Sequence, residues 1–461
     1  MKIPDTPWHP KRWTHWLRPI SREKQRLLGE RWRSLPERLR TPWQAVGRHH
    51  VQCGYTLGPS YCSFGCSHCY LPSNANRVAL PSLDSLRAQI DANRRLIGPG
   101  GALQITGGDV VDAYVRAGRI DELMAVTRHA VDAGLVPMLM THGQQLLDDP
   151  ALLDRLVVEG RLRKLAIHID VTQAGRPGFP RRDLRSEADL HPLREAFVEL
   201  VEGSWRRTGI RFACAHTVTV TEENFDDLDT LVRWFLADPR RTRVFRMLSL
   251  QPEAAVGRTR MSPKPVTPEA VWARATHSLG IDHPRDAGPW FGHPECSSFA
   301  PMMVLHPEGR VVELSAVDEG SRRYWAALLA NFGGIGSRGH DHFDANLRRL
   351  VLLARHPGMV GETLRFLRHV LRREGLSIHE MLRRLLKGQI GFLSLVQHNF
   401  MDSTDLAEPR SATIEERLAG CCLRGAIEQD GEWVAVPMCT VNSGPREAIY
   451  AANQERTPER P

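Results

Sequence analysis

Residues 62–69 read Cys62-Ser63-Phe64-Gly65-Cys66-Ser67-His68-Cys69, which places three cysteines within eight positions. This CxxxCxxC spacing follows a short apolar run over 51–58 that we predict to be a strand. Thiolates on such short spacers can converge from one loop on an iron–sulfur cluster, because soft sulfur ligands match iron. Three ligands leave one iron of a four-iron cluster without a protein ligand, and an open metal position usually serves chemistry. The alternative is a structural zinc site completed by His68 or Cys53.

A strand–helix alternation surrounds that loop. We predict strands over 51–58, 102–106, 136–141, 164–170, 211–219 and 244–250, and helices over 82–97, 120–133, 150–159, 192–205 and 225–236. This alternation predicts an α/β fold with a parallel sheet joined by right-handed crossovers. Ligands of such sheets bind outside the carboxyl ends of the strands, where the connecting loops converge.

Polar residues and glycines concentrate at those predicted strand ends. They are Gly107, Gly108 and Asp109 after the second strand, Thr141 and His142 at the end of the third, His168 and Asp170 at the end of the fourth, and Arg246 in the sixth. Regular alternation along the fourth strand puts His168 on the same face as Asp170. For these later strand ends, direct contact with a ligand and a supporting role are both open alternatives.

The pattern changes after residue 250. Residues 251–294 predict a connector rich in Pro, Gly and Arg with one helix near 268–279, and 296–314 predict a hairpin that turns at 306–309. Helices dominate 324–387, and we predict that the glycine-rich stretch 333–336 inside them is a flexible loop. One more turn is predicted at Asp430-Gly431. The predicted division is a basic helical arm over 1–49, a core over 50–250, the connector over 251–294, a mixed, mainly helical region over 295–445 and a tail over 446–461.

The composition excludes several classes of protein. Nine cysteines among 461 residues are an odd number and far too few for a disulfide scaffold. No stretch approaches the roughly 18 consecutive apolar residues of a spanning helix. The N-terminal residues lack the apolar core of a secretory signal. We therefore expect a cytoplasmic protein, without a membrane span, whose thiols stay reduced.

The distribution of basic residues along the chain indicates which kinds of partner the protein could bind. The formal net charge is +8, and basic residues are denser over 11–48 and 365–387 than elsewhere. Because they are not gathered in a single patch, a nucleic-acid partner is not favoured. The two basic segments are either solvated helix faces or surfaces that contact an anionic substrate or a membrane.

The cysteine loop after the first strand, together with Gly107-Gly108-Asp109 after the second, resembles the radical S-adenosylmethionine (SAM) superfamily over residues 50–250. The resemblance implies a partial (β/α)6 barrel and a [4Fe-4S] cluster on Cys62, Cys66 and Cys69, with SAM chelating the fourth iron. It also implies reductive cleavage of SAM to methionine and a 5′-deoxyadenosyl radical, which abstracts hydrogen from an organic substrate. An electron donor such as flavodoxin or ferredoxin is then a partner.

Two positions depart from the family's pattern. His68 stands where the family usually has an aromatic residue, and its planar ring can pack beside adenine. Asp109 replaces a glutamate, yet it can accept a hydrogen bond from the methionine amine of SAM. The paired glycines Gly107 and Gly108 let backbone approach the ligand closely. The resemblance further puts Asp170 near the ribose and Thr141 at the cofactor, and it identifies no catalytic residue beyond the cluster ligands.

The remaining cysteines are scattered. Cys296, Cys421, Cys422 and Cys439 resemble the auxiliary-cluster regions of several radical SAM enzymes, although Leu314 stands where another cysteine would often lie. A second iron–sulfur cluster and inert buried thiols are both open alternatives for these four. We expect Cys53 and Cys214 to be packing residues.

The tail also suggests a substrate class. Residues 399–402 with Cys421-Cys422 and Cys439 resemble the tail of tetraether-lipid-synthase-type radical SAM proteins. We therefore expect a lipid or other apolar substrate first, a peptide second and RNA third. The alternative to an enzyme is a non-catalytic, zinc-stabilised module that binds nucleic acid.

Overall fold

The computed structural model describes residues 20–444 except 50–52, 73–74, 78, 316, 333–349 and 352, together with residues 446 and 448. The strands are β1 (Gly54–Leu57), β2 (Ala102–Thr106), β3 (Val136–Thr141), β4 (Lys164–His168), β5 (Ala213–Val220), β6 (Phe245–Pro252), β7 (Ser297–Leu305), β8 (Arg310–Glu313), β9 (Ile390–His398), β10 (Arg424–Gln429) and β11 (Glu432–Pro437). The predicted loop over 333–336, the first part of the basic arm and most of the tail lie outside the described residues.

The helices lie between these strands and at both ends. They are α1 (Arg22–Ser34), α2 (Leu83–Ile97), α3 (Val110–Arg116), α4 (Ile120–Asp132), α5 (Gln144–Asp148), α6 (Pro150–Val158), α7 (His191–Thr208), α8 (Leu228–Ala237), α9 (Pro239–Val244), α10 (Pro268–Ser278), α11 (Glu319–Phe332), α12 (Gly358–Arg373), α13 (Ile378–Leu386), α14 (Ala412–Gly420) and α15 (Met438–Asn442). Short 3-10 turns lie at Glu37–Leu39, Arg181–Asp183 and Glu187–Leu190.

Nine strands form one open, largely parallel sheet. Strands β1 to β6 pair in chain order and in parallel, as the alternation of strands and helices predicts. Strand β9 then pairs in parallel with β6, and β7 and β8 continue the sheet in antiparallel fashion. The sheet begins at β1 and ends at β8, so the six-stranded parallel core is present within a sheet that does not close.

The core forms because the parallel strands are buried on both faces. Their outer faces pack against α2, α4, α6, α7 and α8 through one apolar cluster that includes Ile105, Leu139, Ile167, Phe235 and Phe245. Local capping sets where several helices begin: the side chain of Ser82 accepts from the backbone of Ser85 before α2, and Asp109 accepts from Asp112 before α3. The helices therefore cover one side of the sheet, and its other side is free to line a cavity.

The last part of the chain returns to the first strand. Strands β10 and β11 form a hairpin whose turn residues Asp430 and Gly431 have positive φ angles of 51° and 78°. The Tyr55 hydroxyl donates to the carbonyl of Val436 at 2.9 Å, and Cys53 bridges Leu423. This packing brings residues 421–442 beside β1, close to the cysteine loop that follows it.

The predicted elements agree with much of this arrangement. Strands β2 and β3 match their predicted bounds, and the hairpins at 306–309 and 430–431 are present. Strand β4 ends at His168, two residues before the predicted end, so Asp170 lies beyond it. Strand β9 was not predicted, and it links the C-terminal region to the core sheet. Among the described residues, no helix is long and apolar enough to span a bilayer.

Candidate functional site

A cavity of about 250 Å³ lies at the carboxyl ends of the parallel strands. Most of the strand residues that line it are alternate residues: Gln104 and Thr106, Met138 and Met140, Ala166 and His168, Ala215, Thr217 and Thr219, Met247, Ser249 and Gln251, and His398. Period-two alternation explains this set, because inward-facing side chains of a strand lie two residues apart. The location agrees with the ligand site expected of a parallel sheet.

All three cysteines of the loop after β1 line this cavity, as do His68, Gly107, Gly108, Asp109, Thr141, His142 and His168. Asp170 and Arg246 are not on its wall. Arg246, one of the polar residues singled out in the sequence, does not reach the cavity, because alternation along β6 turns Met247, Ser249 and Gln251 inward and leaves Arg246 exposed.

The glycine pair holds the cysteine loop against β2. The amide of Gly58 donates to the carbonyl of Thr106, that of Gly108 to Pro59 and that of Asp109 to Tyr61, at 2.6 to 2.7 Å. A Cβ atom on Gly107 would collide with the carbonyl of Pro59, and one on Gly108 with the carbonyl of Tyr61. Glycines at these positions therefore allow the backbone after β2 to pack closely against the cysteine loop, and their approach to a bound ligand stays a prediction.

Further hydrogen bonds fix the loop on its other sides. The side chain of Asn76 accepts from the amide of Cys62 at 2.8 Å and donates to its carbonyl at 3.0 Å. Asp112 accepts from the amide of Ser63 at 2.9 Å. The amide of Gly65 donates to the carbonyl of Ala174 at 2.8 Å. The three thiols are thus carried on a backbone that hydrogen bonds within the protein hold in place.

An aromatic stack links the loop to the end of β3. The rings of Phe64 and His142 are parallel, with centroids 3.7 Å apart, and the guanidinium of Arg176 lies 5.0 Å from the Phe64 centroid. Arg176 also donates to the carbonyl of His142 at 2.9 Å. His142 therefore supports the cysteine loop as well as lining the cavity.

Asp109 joins the ends of β2 and β3. Its Oδ2 accepts from the hydroxyl of Thr141 at 2.7 Å and from the amide of His142 at 2.6 Å, and its Oδ1 caps α3 through the amide of Asp112. Both oxygens thus have partners within the protein. A contact between Asp109 or Thr141 and a bound cofactor stays a prediction.

His68 is held between two neighbours. Its Nδ1 lies 2.9 Å from the Ser67 hydroxyl, and its Nε2 lies 3.1 Å from a carboxylate oxygen of Glu253. The imidazole is nearly buried and forms part of the cavity wall. Its predicted packing against adenine is not tested by these contacts.

The fourth strand ends in a histidine–carboxylate pair. The Nε2 of His168 lies 2.6 Å from Oδ2 of Asp170 and 3.1 Å from the hydroxyl of Thr219. Asp170 also accepts from the amide and hydroxyl of Thr172 and from the amide of Thr219. Burial alone would raise the pKa of Asp170, but His168 and these donors lower it to about 2. Asp170 therefore lies behind His168 as an ionised partner, and His168 presents the ring to the cavity.

Burial controls the protonation of the loop thiols. It raises the pKa of Cys62 to about 12, with the Asp109 carboxylate adding to the effect, and it raises the pKa of Cys66 well above its usual value. A bound cation is what can hold such buried sulfurs as thiolates. The amide of Phe64 also points at the Cys62 sulfur, 3.4 Å away. The soft donor set and its surroundings fit an iron–sulfur cluster.

The four later cysteines line the same cavity. Cys296, Cys421, Cys422 and Cys439 all lie on its wall, with Asn399, Phe400 and Met401 beside them. Burial raises the pKa of Cys296 to about 11 and that of Cys439 to about 12, and the charge of Cys421 acts on both. The fold thus brings Cys296 to the same cavity as three cysteines that lie 125 or more positions later in the chain.

Arginines surround this second group of cysteines. Arg417 donates from Nε to the sulfur of Cys296 at 3.4 Å, and Arg31 donates to the carbonyl of Cys421 at 2.9 Å. Arg424 donates to the carbonyls of Leu418 and Ala419. Within the described part of the chain, none of these three guanidinium groups has a carboxylate within ion-pair distance. Arg31 and Arg424 are buried, and burial lowers the pKa of Arg31 to about 9. Buried cations need a nearby negative charge, which thiolates at these cysteines would supply.

Two of the nine cysteines, Cys53 and Cys214, lie outside the cavity. None of the nine cysteines, all of which are among the described residues, forms a disulfide bond in this structure. Cys214 is buried in β5 and Cys53 contacts Leu423, and neither lines the cavity. Among the residues described, no three His, Cys, Asp or Glu side chains are placed to hold one metal ion. A single zinc ion needs its sulfur ligands around one point, each about 2.3 Å away. A four-iron cluster binds each cysteine at a different iron, so its ligands lie farther apart.

Several wall residues were missed from the sequence. Thr217, Thr219, Ser249 and Gln251 follow from the alternation of β5 and β6, a signal that was present but not used. Arg31 and Arg417 carried no local signal, because their roles depend on contacts between distant segments.

Comparisons with known proteins gave weak similarities. No protein-family model matches this sequence, and no curated protein matches it. One similar solved structure is native anSMEcpe with bound AdoMet, 13% identical, with a TM-score of 0.30 over 42% of this chain and 50% of that one. Another is the same protein with AdoMet and the Cp18Cys peptide, 11% identical, with a TM-score of 0.34 over 49% and 58%.

A third similar structure is a xylose isomerase-like TIM barrel protein from Mycobacterium smegmatis in complex with magnesium. It is 16% identical, with a TM-score of 0.26 over 60% of this chain and 89% of that one. The alignments with anSMEcpe span about half the length of that protein. Similarities of this size assign neither a shared fold nor a shared activity, so function must follow from the chain's own residues.

Proposed function

We propose that the protein is a radical SAM enzyme whose catalytic [4Fe-4S] cluster is held by Cys62, Cys66 and Cys69. The observation that carries the proposal is the meeting of these cysteines with Gly107-Gly108-Asp109 on one cavity at the carboxyl ends of a parallel sheet. The cluster and SAM, when bound, would supply a 5′-deoxyadenosyl radical that abstracts hydrogen from the substrate. With three protein ligands, the fourth iron is left for SAM.

The residues of the chain would then position and protect the reactants. The loop backbone fixes the three thiols, and the apolar wall excludes water from a reactive species. The Nε2 atom of His168 would donate its hydrogen to the ionised carboxylate of Asp170. This hydrogen bond orients the imidazole, and the Nδ1 atom takes no part in it. A group held in this way can accept or donate a proton beside the substrate.

We propose a second iron–sulfur cluster on Cys296, Cys421, Cys422 and Cys439. Two observations support it. The four cysteines line the same cavity, and guanidinium groups lie next to them, the buried Arg31 and the half-buried Arg417, neither of which has a carboxylate partner in the part of the chain that the structure describes. A cluster with four thiolates carries a net negative charge that those cations would offset. Its place on the catalytic cavity suits a role in electron transfer or in anchoring substrate.

The substrate we propose is a lipid or another apolar molecule. Five methionines and Phe400 line the cavity: Met138, Met140, Met247, Met401 and Met438. Flexible thioethers and an aromatic ring favour an apolar partner of irregular shape. The likeness of residues 399–402 to the tetraether-lipid-synthase tail agrees with this choice, since Asn399, Phe400 and Met401 lie on that wall.

The experiment is reductive SAM cleavage by anaerobically reconstituted protein, with dithionite or flavodoxin as electron donor. The wild type should be brown and should release 5′-deoxyadenosine. Cys66→Ala should abolish the release, and Cys214→Ala, a change outside the cavity, should not. A colourless, zinc-containing wild type without SAM cleavage would overturn the proposal in favour of a metal-stabilised binding module.

A further inference from the structure

Exposed apolar side chains are concentrated in one part of the molecule. Among the described residues, ten large hydrophobic side chains are exposed, and all except Val158 lie between residues 350 and 392. They are Leu350, Val360, Leu364, Leu367, Ile378, Leu382, Leu385, Leu386 and Phe392, with exposed fractions from 44% to 88%. Isolated exposed apolar residues are common, but a concentration of this kind usually marks an interaction surface.

Helix α12 has apolar residues on two faces. Met359, Phe366 and Val370 are buried against the sheet and α11. Val360, Leu364 and Leu367, spaced four and three residues apart, lie on another face and are exposed. The exposed face is therefore a second apolar stripe that the protein itself does not cover.

Helix α13 presents its apolar stripe to solvent. Ile378, Leu382, Leu385 and Leu386 follow helical spacing, and all four are exposed. Its polar contacts with the protein are made by Arg384, which donates to Glu308 at 2.7 Å and to the carbonyl of His306 at 2.9 Å. The usual orientation of an amphipathic surface helix is thus reversed.

Helices α12 and α13 pack against the same apolar cluster. Phe366, Val370 and Leu376 form one apolar cluster, and Met381 of α13 packs against it. We call the exposed residues Val360, Leu364, Leu367, Ile378, Leu382, Leu385, Leu386 and Phe392 the apolar face.

The apolar face carries basic residues. Residues 358–387 contain seven Lys and Arg against three Asp and Glu, a net charge of +4 within a chain of net charge +8. In the described structure Arg368, Arg372, Arg383 and Lys387 have no ion-pair or hydrogen-bond partner, and all four are exposed. Two copies of this surface brought together would oppose like charges, so an anionic partner is favoured over self-association.

We propose that the apolar face binds peripherally to an anionic lipid bilayer. Leucine and isoleucine side chains of α12 and α13 enter the boundary between headgroups and acyl chains, while the free arginines and Lys387 contact lipid phosphates. This pattern of an apolar stripe with flanking cations is the one by which helices lie on membrane surfaces.

The apolar face is separate from the cavity. Phe392 lies near the start of β9, whereas His398 at its end lines the cavity, about 20 Å along the strand at 3.3 Å per residue. Lipid binding therefore does not depend on the proposed SAM chemistry, and each can fail without the other.

The test is sedimentation with vesicles of phosphatidylcholine, with and without phosphatidylglycerol. The protein should sediment with the anionic vesicles, less with the neutral ones, and less in high salt. Leu382→Ser/Leu386→Ser should weaken binding by about tenfold or more, because two inserted side chains are lost. Arg383→Gln/Lys387→Gln should weaken it while retaining the apolar stripe, and Val158→Ser, at an exposed position outside the face, should bind as the wild type does.

Three results would overturn the proposal. The first is wild-type protein that stays in the supernatant with both vesicle types. The second is a Leu382→Ser/Leu386→Ser variant that binds like the wild type. The third is a dimer, seen by sedimentation velocity, that the same double variant dissociates, which would assign the face to a second copy of the chain.

Discussion

The Nε2 atom of His168 lies 2.6 Å from Oδ2 of Asp170, and His168 lines the cavity while Asp170 is buried behind it. The two residues were expected to share a strand face, and the hydrogen bond between them fixes the tautomer and orientation of the imidazole. Asp170 therefore contacts His168 and does not line the cavity, and its place near a ribose stays a prediction.

Replacing Asp170 by Asn should change the dependence of stability on pH. The pKa of Asp170 is lowered from 3.8 to about 2 in the folded protein, so its ionised form stabilises the fold above pH 4 by about 2 kcal/mol. That contribution is lost as pH falls from about 4 to 2. Urea unfolding across this range should show the loss in wild type and not in Asp170→Asn. Equal pH profiles would contradict the pairing.

Adding a methyl group to Gly108 should displace the cysteine loop. The new Cβ of Gly108→Ala would collide with the carbonyl of Tyr61, and the loop is held there by backbone hydrogen bonds. We expect a folded protein, by circular dichroism, that retains much less iron after reconstitution. Gly65→Ala is the matched control, since a Cβ at Gly65 has no atom within 4 Å in the described structure. Iron retention in Gly108→Ala equal to that of Gly65→Ala would refute this role.

Iron counts should separate the two groups of cysteines. The wild type should bind about eight irons per chain, and Cys62→Ala/Cys66→Ala/Cys69→Ala about four, because the second group is intact. Changing Cys296, Cys421, Cys422 and Cys439 to Ala should likewise leave about four irons. If the triple variant held none, the second cluster would be excluded.

Arg417 should tune the second cluster. Its guanidinium donates to the sulfur of Cys296 at 3.4 Å, and a cation and hydrogen bond at a ligand sulfur favour the reduced state. Arg417→Gln in the triple-alanine background should lower the reduction potential by tens of millivolts, measured by potentiometric titration. Arg26→Gln, an exposed change on α1, is the control. An unchanged potential would show that Arg417 has no electrostatic effect on a cluster.

The sequence indicated the elements whose signals are local. Strands β2 and β3 were predicted at both ends, since each is a short apolar run bounded by glycines or polar residues. Strand β9 was missed because its exposed position 392 carries a phenylalanine between the buried Gly391 and Leu393, so its sequence lacks the apolar–polar alternation that its burial shows. The cysteine loop and Gly107-Gly108 were identifiable because their chemistry depends on spacing within a few residues.

The rest of the site depends on long-range packing. Arg31 reaches the carbonyl of Cys421 across 390 positions, and no local pattern marks such a contact. Asp170 lies two residues beyond the end of β4, where the alternation of the strand no longer sets the direction of a side chain. The ends of strands and the contacts between distant segments could therefore not be predicted from the sequence alone.

The central claim is that the cluster on Cys62, Cys66 and Cys69 has an iron that binds SAM. The most direct measurement is the electron paramagnetic resonance spectrum of the reduced protein with and without SAM, in a variant with Cys296, Cys421, Cys422 and Cys439 changed to Ala. We predict a reduced-cluster signal that changes shape when SAM is added and that Cys66→Ala abolishes. A signal that SAM leaves unchanged would contradict the claim.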